Sequence, residues 1–167
     1  MRKLVLLAIL AGAGWWHFIG GRTIDEAHVQ QFYQDLEHAT LSRDPQALCG
    51  LLDNDFQSVG TISMGGRRET VSQDKEQACQ AYDEMYQNFA LLGDKMGGML
   101  QLDSSYKINS VAIQSGSKSA TVDFSSSLDV AGTIMNIRSR STDTLIRRNG
   151  KVLMLRTEGK GRIFSGN

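Results

Sequence analysis

At 167 residues the chain suits one domain with a short appendage. Its 41% hydrophobic and 22% charged content is ordinary for a globular protein, and one Pro with 17 Gly excludes a long disordered linker. Lys plus Arg and Asp plus Glu both number 18, so the formal net charge is zero, and setting aside Arg2 and Lys3 leaves the remainder slightly acidic. A nucleic-acid binder gathers a basic excess on one face. Here Arg138, Arg140, Arg147, Arg148 and Lys151 are interrupted by Asp143 and Glu158, and strand alternation would divide them between two faces, so no nucleic-acid partner is expected.

The N-terminus pairs basic Arg2 and Lys3 with an apolar run from Leu4 to Ile19. Ala11-Gly12-Ala13 has the form of a signal-peptidase site, but cleavage there would leave a short signal and an exposed Trp15-Trp16-His17-Phe18-Ile19 end. As a helix the run spans about 24 Å, somewhat short of a hydrocarbon core of about 30 Å, which bilayer thinning can absorb. Trp15 and Trp16 would then lie at the outer interface and Arg2 and Lys3 on the cytoplasmic side. The expectation is residues 1–21 as an N-terminal membrane anchor or signal segment, followed by a domain over 22–167. The anchored protein would be single-pass in an inner membrane with its domain in the periplasm; the alternative is secretion to the periplasm after cleavage.

Thr23-Ile24-Asp25-Glu26 has the form of a capping box and predicts a helix start. Val29, Phe32, Tyr33, Leu36 and Thr40 follow at helical spacing as its buried stripe. Asp44-Pro45 predicts a second, short helix with Ala47, Leu48, Leu51 and Leu52 on its apolar side, broken by Asp53-Asn54-Asp55. Residues 56–64 read as a strand and Gly65-Gly66 as a turn. Thr70 or Ser72 would cap a long third helix with a stripe of Ala78, Tyr82, Met85, Phe89 and Leu92, stopped by Gly93. Four strands follow over 100–113, 119–131, 133–147 and 151–163, the last two joined by Asn149-Gly150, a strong hairpin signal. Long strands with helices on one face make an α+β domain.

FYQDLEHATLSRDPQALCGLLDNDF (32–56) and RSRSTDTLIRRNGKVLMLRTEGKGRI (138–163), set in this element order, resemble the opening and the closing hairpin of the nuclear transport factor 2-like (NTF2-like, or SnoaL-like) superfamily. The resemblance covers roughly residues 23–163. It implies an NTF2-like cone, a curved antiparallel sheet packed on three N-terminal helices. With its N-terminal segment the chain resembles membrane-anchored bacterial members. The superfamily includes isomerases, dehydratases, hydrolases, scaffolds and binding modules, so fold alone carries no activity.

Cys49 and Cys79 are a disulfide candidate in an oxidising periplasm, where closing their loop would contribute a few kcal/mol in the chain-entropy model. Otherwise they are two small buried hydrophobes. His28 and His38 are about 15 Å apart by helical rise, too far to share an ion, and His17 lies in the apolar run, so no metal and no cofactor is expected. Enzymes of the family often place an Asp, His or Tyr between sheet and helices. The pocket candidates here are Tyr33, Asp55, Tyr82, Tyr86, Phe89, Asp123, Arg138, Arg140 and Glu158. A buried carboxylate beside a Tyr donor would suit proton transfer next to a carbonyl. The tyrosines also sit at core spacing, and Asp123, Arg138, Arg140 and Glu158 equally suit cross-strand pairs on a solvated face. Met85, Met96, Met99, Met135 and Met154, with Phe89, offer soft apolar walls for a ligand. Val152–Leu155 is apolar on both strand faces, and related domains often pair sheet to sheet, so a homodimer is expected. These features favour a non-enzymatic periplasmic domain that binds a small apolar ligand or scaffolds an envelope protein. The alternative is a SnoaL-like isomerase or hydrolase acting on a hydrophobic substrate.

Overall fold

The computed structural model describes residues 21–98, 100–131 and 134–165, with only the backbone of Ser165. The expected anchor or signal segment lies outside the described residues apart from Gly21, as do Met99 and Gly132. Among the described residues no helix is long and apolar enough to cross a membrane.

Helix α1 (Glu26–Leu41) is capped by Asp25, whose side chain accepts from the His28 backbone N–H at 2.9 Å. Thr23 therefore does not cap it, contrary to expectation. The Ile24 N–H donates to the Ser117 carbonyl at 2.7 Å, which ties this segment to a strand turn before the helix begins. The short helix α2 (Pro45–Gly50) starts as expected, with Asp44 accepting from the Ala47 N–H and Pro45 in the first turn.

Helix α2 ends at Gly50, ahead of Asp53-Asn54-Asp55, so Leu51 caps it and Leu52 already lies in the following strand. Strand β1 (Leu52–Met64) begins at Leu52 and runs through Asp53-Asn54-Asp55, with an irregularity before Gln57. The acids are tolerated because Arg148 reaches both, at 3.3 Å from each. Gly65 and Gly66, at φ +56° and +81°, turn β1 into a strand absent from the sequence expectations, β2 (Arg67–Asp74). Thr70 and Ser72 lie within it. The cap of α3 (Lys75–Lys95) is Asp74, in a reciprocal capping box with Gln77. Gly93 is buried inside α3 rather than ending it. The helix closes at Met96, where Gly97 takes φ +78° and the N–H groups of Gly97 and Gly98 return to the carbonyls of Asp94 and Gly93. Cys49 and Cys79 form a disulfide between α2 and α3, with Cα atoms 5.2 Å apart.

Strands β3 (Leu102–Ile113), β4 (Ser119–Val130), β5 (Met135–Arg148) and β6 (Lys151–Ser165) form an antiparallel meander, with Asn149 and Gly150 at positive φ in the last hairpin. The full order is β2-β1-β6-β5-β4-β3. β1 joins β6 in parallel, so the sheet is mixed rather than antiparallel throughout. A parallel pairing needs a crossover, and α3 with the meander supplies it. The third helix accordingly follows two strands and is not N-terminal to the sheet.

Inward residues of the sheet and one face of α1 make the main core: Val29, Phe32, Tyr33, Phe56, Val122, Phe124, Leu145 and Met154 are all buried there. A second cluster joins Ala39, Leu48, Tyr86, Phe89, Leu100 and Val130. Val152 packs on the main core, while Leu153 and Leu155 are half-buried.

Candidate functional site

Along β5 the side chains alternate. Arg138 and Arg140 are exposed, Asp143 and Leu145 are buried, and Ser139 and Ser141 are half-buried in phase with them. The period of two thus carries an acid into the interior. Asp143 is paired in register with Thr157 of β6, whose hydroxyl donates to Oδ1 at 2.6 Å. From α1, the Tyr33 hydroxyl donates to Oδ2 at 2.7 Å. The Tyr33 ring lies flat on Phe124, with centroids 4.4 Å apart, and edge-on to Phe32. Asp143 is 2% exposed and Tyr33 is fully enclosed.

Burial raises the Asp143 carboxyl above the usual range, because the charged form is desolvated; the hydroxyls of Thr157, Tyr33 and Ser141 partly offset this. Burial, and next the neighbouring carboxylate, raise Tyr33 well above an ordinary phenol, so it stays a proton donor to Asp143. Tyr82 is raised for the same two reasons. Among the described residues no buried side-chain polar atom lacks a partner.

Beyond the helices, the same sheet face opens into a concavity of about 330 Å³. Ile62, Val71, Ile137 and Ile163 contribute its apolar lining, together with Ser139, Ser141, Thr157, Gly159 and Gly161. Thr157 and Ser141 belong to both features: they line the concavity and bond the acid beneath it. Gly159 is required by packing, since a Cβ there would stand 2.8 Å from the Arg140 carbonyl oxygen and 2.9 Å from the Ser141 Cβ.

The structure divides the sequence candidates into separate groups. Tyr33 and Tyr82 surround Asp143. Tyr86 and Phe89 lie in the second core cluster, where the Tyr86 hydroxyl donates to the Thr40 carbonyl at 3.0 Å and burial pushes its pKa up to about 12. Asp55 is exposed beside Arg148. Asp123 and Arg140 pair at 2.7 Å on the outer sheet face, where Arg138 lies over the Phe164 ring and Glu158 pairs with Arg156. Asp143, Thr157 and Ser141 were not among the candidates. Their signal was the alternation of Ser139, Ser141 and Asp143 in phase with the apolar Ile137 and opposite to Arg138 and Arg140. Asp53, 1% exposed and held by Arg148, was likewise unexpected. Among the described residues no group of three or more His, Cys, Asp or Glu is placed to hold a metal ion.

No protein-family model matches the chain, and no curated protein matches it by sequence. Solved structures do resemble it. A conserved protein from Planctomyces limnophilus aligns with a TM-score of 0.61 at 16% identity, over 84% of this chain and 98% of that one. An NTF2-like protein of unknown function from Silicibacter pomeroyi aligns at 0.52 and 15%, over 83% and 94%. A ketosteroid isomerase-like protein from Erwinia carotovora atroseptica aligns at 0.52 and 15%, over 83% and 98%. At such identities the likeness shows the fold, and with the curved six-stranded mixed sheet and its three helices it makes this chain an NTF2-like α+β cone.

Proposed function

We propose that the chain is a non-enzymatic binding domain whose concave sheet face takes a small, largely apolar ligand. One observation carries this reading. The open concavity presents isoleucines, a valine and hydroxyls, with Arg140 and Lys160 also contributing to its lining, while Asp143 is sealed below, with both oxygens occupied by the chain's own hydroxyls. Apolar walls with a few placed polar groups are what a small-molecule site requires. Thr157 and Ser141 would orient a carbonyl or hydroxyl of the ligand. The disulfide supports a location outside the cytoplasm, since such bonds persist in oxidising compartments. The domain would be held at the inner membrane by residues 1–21, or released to the periplasm after their cleavage. Native mass spectrometry of the full chain, extracted gently from its own membranes, tests the binding reading. A bound species of a few hundred daltons, absent from a Gly161→Leu variant, is expected. A bare mass in both, with no retention of any apolar compound offered, would sink it. Residues 1–19 retained in the membrane fraction after carbonate extraction would support the anchor.

One observation favours an enzyme instead: Asp143 has a raised pKa beside a tyrosine donor, and one structural neighbour is described as ketosteroid isomerase-like. In that reading Asp143 takes a proton from the carbon next to a carbonyl, the double bond shifts, and the same proton returns two carbons along. The cluster would first have to open. Isomerisation of a β,γ-unsaturated ketone by the native chain but not by Asp143→Asn would establish this reading over the first.

A further inference from the structure

The outer sheet face carries a charge arrangement that folding does not explain. Arg138 stands directly across from Arg162, and Arg140 across from Lys160, on neighbouring strands. Like charges in opposed positions, with Cβ atoms about 4.5–5.5 Å apart, destabilise a sheet. Further out on the same rows, Arg68 follows Arg162 beyond Ser63, and Lys107 follows Arg140 beyond Ser125. All six cations are exposed. The acids on this face are already engaged near its edges: Asp123 with Arg140, Glu158 with Arg156, and Asp129 with the Asn136 amide. Asp103 sits at the far end of β3, beside Gln101. Among the described residues, Arg68, Lys107, Arg138, Lys160 and Arg162 form no ion pair. The sequence reading grouped Arg138 and Arg140 with Arg147, Arg148 and Lys151 and did not consider Lys160 or Arg162; alternation on two antiparallel strands brings Arg138, Arg140, Lys160 and Arg162 into one square.

We propose that this square is a docking surface for an acidic, extended segment of a partner protein. Acids at alternate positions of an extended chain repeat about every 6.8 Å, which matches Arg138 to Arg140 and Lys160 to Arg162 along their strands. A second copy of this chain seated symmetrically here would bring cations onto cations, so the face does not suit the expected sheet-to-sheet homodimer. The Gly150 N–H donates to the Gly21 carbonyl at 3.0 Å, and the square lies roughly 25–35 Å along the strands from that β5–β6 turn, so anionic vesicles form the competing arm of the test. Arg140 and Lys160 also contribute to the lining of the proposed ligand concavity, whereas Arg138 and Arg162 do not, so changes at those two arginines test the surface apart from the ligand site.

The test is fluorescence anisotropy of the full chain with a labelled Glu-Ser-Glu-Ser-Glu-Ser-Glu peptide, its Gln-for-Glu counterpart, and phosphatidylglycerol vesicles as a separate titrant. The expected result is binding of the Glu peptide only, weakened by salt and weakened about tenfold in an Arg138→Ser, Arg162→Thr double variant. That variant should melt close to the native temperature, because the repulsion it relieves offsets the lost contact of Arg138 with the Phe164 ring. Equal binding by both peptides, unchanged affinity in the variant, or no binding at low salt would overturn the proposal. So would vesicle binding through the same two arginines, or light scattering that shows a dimer broken by the double variant.

Discussion

The two faces of one sheet handle charge in opposite ways. On the inner face a single acid, Asp143, is enclosed by Tyr33 and Thr157, and both its oxygens are satisfied. On the outer face, among the described residues, five exposed cations have no ion-pair partner, two of them directly opposed across β5 and β6. The same strands supply both arrangements: Arg138 and Arg140 point one way, Asp143 and Leu145 the other. Burial converts a titratable group into a structural one, because an unbonded charge in the interior would cost several kcal/mol. Exposure leaves charge available, because water pays most of its solvation whether or not a partner arrives. The inner cluster is therefore expected to answer to stability measurements and the outer square to binding measurements.

The largest effect should come from removing the ring that roofs the acid. Tyr33→Ala loses a fully buried aromatic and strips Asp143 of a donor, and should cost about 3–5 kcal/mol in denaturant unfolding. Tyr33→Phe keeps the ring stack on Phe124 and loses only the hydroxyl, for about 1–3 kcal/mol. If the two variants lost the same amount, the hydrogen bond rather than packing would dominate the cluster. Gly159→Ala comes next, at about 1–3 kcal/mol, since its Cβ meets the backbone of β5, which cannot give way as a flexible side chain would. A neutral Gly159→Ala would show that β5 and β6 are not held as close as the structure has them.

How much of this was legible in the sequence follows from the range of the forces involved. Asp44-Pro45 and Asn149-Gly150 act locally, and both a helix start and a hairpin turn were read correctly from them. The pairing of Cys49 with Cys79 was one of two readings left open, and it rested on cysteine count and an expected oxidising compartment. Strand β2 was missed because Arg67–Asp74 is polar almost throughout, with Val71 its only large apolar residue, so periodicity gave no signal. Such a strand suits a sheet edge, where charge discourages pairing with other chains. The parallel pairing of β1 with β6 joins opposite ends of the domain and leaves no local mark. Asp143 was read only as an acid that interrupts the basic cluster, because its partners come from α1 and β6, far away in the chain. Its alternation with Arg140 could have placed it; that the interior would supply two hydroxyls could not be read from one strand.

A smaller effect, but a more diagnostic one, is the pH signature of the inner acid. Burial raises Asp143 in the folded state, whereas the unfolded chain holds it near 3.8. Between those two values the native state binds the extra proton, so the contribution of this group to stability is greatest below the unfolded pKa and declines as pH rises through the folded one. Asp143→Asn removes the titration. The melting temperature of the native chain, measured relative to that of the variant, should therefore fall from pH 4 upward and level off once Asp143 is ionised in both states. A difference that stays flat, or grows with pH, would mean that the hydroxyls outweigh burial.

The outer face should give the opposite sign and the smallest size. Arg140 is the main cause of a lowered Asp123 pKa, so that pair contributes above the unfolded pKa and loses its contribution as pH falls through the folded one. The pair is largely exposed, and water and salt screen it, so Asp123→Ser should leave the neutral-pH melting temperature within about 2 °C of the native value. The informative readout is instead the acidic peptide. Removing Asp123 frees Arg140 to act as an additional cation beside Lys160, so affinity should rise about two- to fivefold while stability hardly moves. A variant that unfolds more easily without binding more tightly would make Asp123 and Arg140 a structural pair like the inner cluster, and the contrast between the two faces would fail where it is sharpest.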